Sequence, residues 1–387
     1  MSLSILVVTS QNVLLSGSII PSPATLVVDK SSGKIIEVRN ARLSRANFPE
    51  LLDEDWLDAG DKWVLPGLVD AHVHLNEPGR TDWEGFWTGT RAAAVGGVTT
   101  VIDMPLNSIP PTTTRENLNI KRTAAQEHTH AEAKPGADPK LYSTFLDSRP
   151  EQLETDAISL VIALQKKYPL QRCHIVHLSA ASALPAIRAA KAAGARLTVE
   201  TCFHYLVLAS SGIPDAQPQY KCCPPIRDAA NRDALWDALM DGTIDCVVSD
   251  HSPCVAELKR LQDGDIMKAW GGISTLGLGL SLLWTEGRKR GVGIGDIVRW
   301  TSEVTARHAS VDDRKGAIKV GWDADFVIWD PEAEVKVTKD NLYFKNKLSP
   351  YEGLTIYGKV EKTYVRGRIA WDASINGEGL NPEGRLI

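Results

Sequence analysis

The sequence predicts an α/β fold: an incomplete (β/α) barrel joined to a small β-sandwich domain built from both chain ends. Three observations carry this. Both ends are rich in short β-branched runs separated by Ser, Pro and Gly. The middle alternates apolar strands with helical stretches, as a parallel sheet requires. That middle offers five candidate strands, where a closed barrel of this kind takes eight.

The elements follow in order. "SILVVTS", "ATLVVDK" and "KIIEVRN" read as strands near the start, and "AIKVG", "ADFVIWD" and "KVEKTYVRGRIAW" as strands near the end. Residues 1–60 and 317–387 are therefore expected to form one composite β domain, the alternative being two independent hairpin caps. Residues 61–316 are expected to form the barrel. Its first strand lies in "WVLPGLVDAHVHL", a near-continuous apolar run suited to burial on both faces. A helix in "WEGFWTGTRAAAVGG" ends in glycines that suit a C-cap. Strand "VTTVIDMP" and helix "TRENLNIKRTAAQ" follow. "EQLETDAISLVIALQKKY" is a helix with an apolar stripe at Leu153, Ala157, Leu160, Val161 and Leu164. Strand "RCHIVHLS", helix "ASALPAIRAAKAAG", strand "ARLTVETC", helix "DAANRDALWDALMDG" and strand "IDCVVSDHSP" complete the alternation. Between Met104 and Cys173 no strand pattern occurs, and "QEHTHAEAKPGADPK" is polar and broken by Gly and Pro.

Composition excludes several function classes. Lys plus Arg is 43 and Asp plus Glu 48, a net charge of −5 with no basic stripe, which argues against nucleic acid. The opening "MSLSILVVTSQNVLL" lacks a positive n-region and its apolar run is short, so neither a signal peptide nor a membrane span is expected. The six cysteines show no C-x-x-C spacing, and Cys222 and Cys223 are adjacent. A reduced, cytoplasmic protein is expected. "GLGLS" and "GVGIG" lack the strand–loop–helix context of a phosphate loop and are given no nucleotide role.

The candidate chemistry sits at strand ends. His72 and His74 are two apart on a strand, so both side chains leave one face. At the C-terminal end of a barrel strand that face opens on the active-site mouth, where two imidazoles suit a divalent metal. His174 and His177 are three apart and face opposite ways. One serves as a ligand and the other packs, and His177, nearer the strand end, is the candidate ligand. Asp250, beside His251, is a strand-end carboxylate that can bind a metal and accept a proton from water. Asn76, Arg80, Asn107 and "KCCPPIRD" are polar groups suited to reading a ureide or imide, although Arg80 and Arg227 equally suit surface charges.

"LPGLVDAHVHLNEPGRTDWEGFWTGTRAAAVGGVTTVIDMPLN", "HIVHLSA", "ETCFHYLVL", "KCCPPIRD", "IDCVVSDHSPC" and "MKAWGGI" together resemble the allantoinases. These are cyclic amidohydrolases of the amidohydrolase superfamily, related to dihydroorotases and hydantoinases. The likeness covers about residues 60–125 and 145–372. It implies a metal-dependent hydrolase barrel with a terminal β-sandwich and two bridged divalent ions, Zn2+ being the expected metal. It implies that His72 and His74 bind the first ion, His177 the second, and that Asp250 completes the first site and acts as general base and acid. Asn107 and the "CCPPI" loop, through Cys223, would contact substrate. The implied reaction is hydrolysis of (S)-allantoin to allantoate in purine catabolism, with a small molecule as the partner, no nucleic acid, no membrane, and a homo-oligomer compatible with the family.

The chain departs from that pattern in one place. The resemblance calls for a carboxylated bridging lysine and a further metal histidine on strands before "HIVHLS". No lysine in 105–172 follows an apolar strand: Lys121, Lys134, Lys140, Lys166 and Lys167 all lie in helical or broken segments. His130 sits in "EHTHAEAK" with no strand before it. An internal deletion near residue 127, removing about three strands, accounts for both the strand shortage and the missing lysine. It predicts at most one tightly bound ion, poor solubility and "VTTVIDMP" paired with "RCHIVHLS" or bare at an edge. The alternative function is then a catalytically dead allantoinase-like product, associating as a subunit.

Overall fold

The computed structural model describes residues 4–77, 79–107 and 137–377. Strands β1 (Ile5–Val13), β2 (Ser22–Asp29), β3 (Lys34–Arg39), β4 (Trp56–Asp58) and β5 (Trp63–Pro66) come from the first part of the chain. They join three strands from its end, whose bounds are Phe326–Lys336 (β11), Thr355–Val365 (β12) and Arg368–Asp372 (β13). One sheet results, in the order β13-β12-β11-β5-β1-β2-β3, with β4 paired to β1. Leu6, Val8, Leu26, Val28, Ile35, Val64 and Phe326 form its buried face, and Phe326 stacks on Tyr364 with centroids 4.5 Å apart. "AIKVG" is not a strand. It lies against this sheet as irregular chain, where the Ile318 carbonyl accepts from Ser16 N at 3.2 Å.

The run "WVLPGLVDAHVHL" divides in two. β5 pairs with β1 and β11 in the terminal sheet, whereas β6 (Leu68–Val73) begins the barrel side. Gly67 stands at the crossing. A Cβ there would come within 2.2 Å of the Thr99 side chain, so only glycine passes.

On the barrel side β6 pairs in parallel with β7 (Val98–Asp103). A second parallel group orders as β10-β9-β8, with bounds Cys173–Ile175 for β8, Leu197–Cys202 for β9 and Cys246–Val248 for β10. Contacts that join the groups include a parallel bridge between Val73 and His251, His74 N donating to the His251 carbonyl at 2.8 Å, and Ser249 N donating to Asp70 Oδ1 at 3.2 Å. The five strands thus form an arc running β7-β6-β10-β9-β8. Among the described residues β7 pairs with β6 and not with β8.

The helices on the barrel side largely occupy the expected stretches, including Phe86–Val95, Glu151–Lys167 and Ala229–Met240. Asp228 caps the last of these by accepting from Asn231 N. The expected helix over "TRENLNIKRTAAQ", His130, Lys121 and Lys134 lie outside the described residues. Helical segments at Gly279–Gly287 and Ile294–Val298 were not expected from the sequence.

The helix Glu151–Lys167 presents a different face from the expected one. Ile158 and Gln165 are its buried residues, whereas Leu153, Leu160 and Leu164 are exposed at 54%, 62% and 46%. The helix carries apolar residues on two arcs, and periodicity alone does not say which arc meets the core. The arc bearing Ile158, with Val161 and Ile162 packed beside it, faces inward.

Candidate active site

Strand geometry aims the first pair as expected. His72 and His74 leave one face of β6, both buried, with ring centroids 5.3 Å apart. Asp250 follows β10 and points between them: its Oδ1 lies 3.4 Å from His72 Nε2 and 3.4 Å from His74 Nε2. Donors bound to one tetrahedral ion at bonds of about 2.0–2.3 Å lie about 3.3–3.8 Å apart, so these three fit a divalent metal. Among the described residues His74 Nδ1 is buried without a hydrogen-bond partner.

The residue behind them is Glu200, in β9, 1% exposed. His72 Nδ1 donates to its Oε1 at 2.6 Å, His174 Nε2 to its Oε2 at 3.0 Å, and His177 N to its Oε1 at 3.2 Å. With Nδ1 committed to Glu200, Nε2 is the His72 nitrogen that can bind a metal, once deprotonated. Burial by itself would raise the Glu200 carboxyl; the hydrogen bonds from His174 and His72 outweigh it and hold it at about 2. Burial likewise lowers His72, but the bond to Glu200 and the charges of Asp250, Glu200 and Asp70 bring it up to about 8. Asp250 is also buried, and the bond from His74 with the charges of His72 and His177 keep it ionised, far below the usual carboxylate range.

His177 lies near this trio but outside it, its ring centroid 5.7 Å from that of His72. His174 packs instead, stacked on His308 at 3.8 Å, with Nδ1 against Thr198 Oγ1 at 2.8 Å. Both His177 and Asp250 hold left-handed backbone, at φ 38° and 43°. Such conformations cost about 1–3 kcal/mol in a residue with a Cβ and gather at functional sites. Asp70, for its part, braces the β6–β10 junction through Ser249 and His72 N.

His251 is structural. Its Nε2 donates to Glu84 at 3.1 Å, and its Nδ1 accepts from Thr275 N and Leu276 N at 3.1 and 3.2 Å. Asn76 is buried with its Oδ1 unpartnered among the described residues, and its Nδ2 donates to the His74 carbonyl at 3.0 Å. The Asn107 carbonyl accepts from Arg80 at 3.1 Å, which ties two loops. Cys223 carries an exposed thiol, whereas Cys222 beside it is buried. Arg227 is not a surface charge: it is 7% exposed and reaches Glu154 at 3.5 Å.

Sequence reasoning gave no role to Glu200, Cys202 or His204. A carboxylate inside the apolar strand "LTVETC" was the available signal for the first, and a Cys and a His two residues apart for the others. His204 is fully buried beside Tyr205, and burial pushes its imidazole down to about 4.

An α/β fold whose strand ends bring two imidazoles and a carboxylate within ion-binding distance is that of a metal-assisted hydrolase. The model of the amidohydrolase family matches the chain in two pieces, residues 63–136 and 113–370. The chain belongs to the amidohydrolase family. It is 39% identical to the allantoinase of Saccharomyces cerevisiae, with 98% of each chain covered, over 457 aligned positions. The alignment is longer than the 387 residues of the chain, so the yeast protein carries residues without counterpart here. It is 43% identical to the allantoinase of Streptomyces avermitilis, covering 85% of this chain and 88% of that one. In structure it resembles the L-hydantoinase (dihydropyrimidinase) of Arthrobacter aurescens, with a TM-score of 0.80, 24% identity and 97% of each chain covered. Among the described residues no helix is long and apolar enough to cross a membrane.

Proposed function

We propose that this chain hydrolyses (S)-allantoin to allantoate at a Zn2+ centre held by His72, His74 and Asp250. The convergence of both Nε2 atoms on Asp250 Oδ1 at 3.4 Å is the observation that carries the reading. The relatives named above lend it the substrate. The bound ion supplies Lewis-acid polarisation of the ring carbonyl and acidifies water. The protein's own part is proton handling and positioning. Asp250 takes the proton from the attacking water as the C–O bond forms, then gives it to the ring nitrogen as the C–N bond breaks. Glu200 keeps His72 in the tautomer that leaves Nε2 free. His177, Asn107 and Cys223 line the approach, and Asn76 offers its unpartnered Oδ1 to a substrate N–H.

The domain division follows the same reading: residues 1–60 with 317–387 as the β unit, and 61–316 as the catalytic unit lacking a segment near residue 127. The side of β7 left unpaired among the described residues, the two-piece family match and the long alignment with the yeast relative support that deletion. Free thiols at Cys173, Cys202, Cys222, Cys223, Cys246 and Cys254 support a cytoplasmic setting. The test is turnover of (S)-allantoin by the purified, Zn2+-reconstituted chain. Hydrolysis is expected and is lost in Asp250→Asn; a metal-loaded, folded chain without hydrolysis overturns the reading.

A further inference from the structure

Cys202 ends β9 and His204 follows it by two residues. Cys202, His204 and Asp250 are all buried, and one ligand atom from each lies within 4.8 Å of the others. Among the described residues neither ring nitrogen of His204 has a hydrogen-bond partner. A buried polar group left unpaired costs about 1–3 kcal/mol, and this ring carries two. Simple packing does not require an imidazole here, since Tyr205 beside it would stack as well on an apolar ring. One of these nitrogens lies within 4.8 Å of an oxygen of Asp250, the group that also completes the His72–His74 trio.

We propose that Cys202, His204 and Asp250 form a second metal site, selective for borderline-soft divalent ions and sharing Asp250 with the first. A carboxylate has two oxygens and can serve both trios. Drawing donors from at most 4.8 Å to tetrahedral spacing needs a contraction of about 1 Å. Sulfur and imidazole donors select ions such as Zn2+ or Co2+ over Mg2+ or Ca2+. On binding, the Cys202 S–H bond breaks as the sulfur–metal bond forms, and the proton passes to solvent. A loaded chain then holds one ion in each trio. The sequence predicts one at most, because it counts His177 alone for the second position. The inference stands apart from the reaction, since its test reads metal binding and not hydrolysis.

The experiment is a Co2+ titration of metal-free protein, followed by near-ultraviolet absorption and by elemental analysis. The expected result is a thiolate-to-cobalt charge-transfer band and two ions per chain. In Cys202→Ser the band disappears and one ion remains; in His72→Ala the band persists. Absence of the band from the unaltered chain, or its survival at full intensity in Cys202→Ser, overturns the proposal. Should Cys202→Ser fail to fold by circular dichroism, His204→Gln decides. Cobalt affinity at the band-producing site is expected to fall roughly tenfold or more, and unchanged affinity overturns the proposal.

Discussion

Glu200 couples His72 to His174: one carboxylate oxygen takes the His72 Nδ1–H at 2.6 Å and the other meets His174 Nε2 at 3.0 Å. Removing the charge while keeping the shape isolates what the coupling does. Glu200→Gln is expected to weaken metal retention about 10- to 100-fold, read by competition with a chelator of known affinity. Retention equal to that of the unaltered chain would show that His72 orients without it.

If Asp250 handles the proton, as proposed, its loss acts on the rate. Asp250→Asn is expected to lower kcat for allantoin by about 100-fold or more. Asn tolerates the left-handed backbone at this position, so the substitution adds no backbone strain there. A kcat within a few-fold of the original removes Asp250 from proton transfer.

Selectivity should follow Asn76. Recognition of a substrate carboxylate calls for a cation such as arginine beside the metal-site histidines, and allantoin has no carboxylate. Here the residue two positions after His74 is Asn76, buried, with one amide oxygen unpartnered among the described residues. The chain is expected to turn over allantoin and to leave dihydroorotate untouched. Comparable kcat/KM for the two substrates contradicts this.

The terminal sheet has its own charged pin. Asp323 is 3% exposed and meets Lys34 at 2.7 Å, Lys315 at 3.0 Å and Arg366 at 3.3 Å. Burial alone would raise its carboxyl, but the bonds from Lys34 and Lys315 lower it below its usual 3.8. Its folded-state value lies below its unfolded one, so its stabilisation is complete above pH 3.8 and is lost as pH falls below that. Asp323→Asn should cost about 3 kcal/mol at neutral pH by denaturant unfolding, at the low end for a broken buried pair because Asp325 still faces Lys315. The gap between variant and parent should narrow in acid; a gap independent of pH would remove the charge as its cause.

Leu153, Leu160 and Leu164 place an apolar stripe in water. Stripes of this kind drive association. Replacing Leu160 and Leu164 by Lys and Glu is expected to raise soluble yield and reduce light scattering, with allantoin turnover unaltered. Unchanged scattering would acquit this face.

The barrel strands and the shared face of the His72–His74 pair were legible in the sequence because their signals are local. The continuous apolar run before His72 and His74 marks a buried parallel strand, and spacing of two sets both rings on one face. Facts that depend on a neighbour were not legible. The division of one apolar run at Gly67 is decided by Thr99, far along the chain. The inward arc of the helix Glu151–Lys167 is chosen by what packs on it, and Gln165 is buried there with its amide reaching the Pro169 carbonyl at 3.4 Å. Glu200 acquires its importance only when β9 sets it behind β6, and no spacing within "LTVETC" announces that.

The sheet order has a consequence in time. β5 ends at Pro66 and pairs with β11, which begins at Phe326. A ribosome adding about 5–20 residues per second makes the first strand wait roughly 15 to 50 seconds for its partner. Throughout that interval the nascent chain offers a Trp-Val-Leu edge with open hydrogen-bonding groups. The order of synthesis therefore sets when this protein is most vulnerable: from the emergence of residues 63–66 until β11 is made.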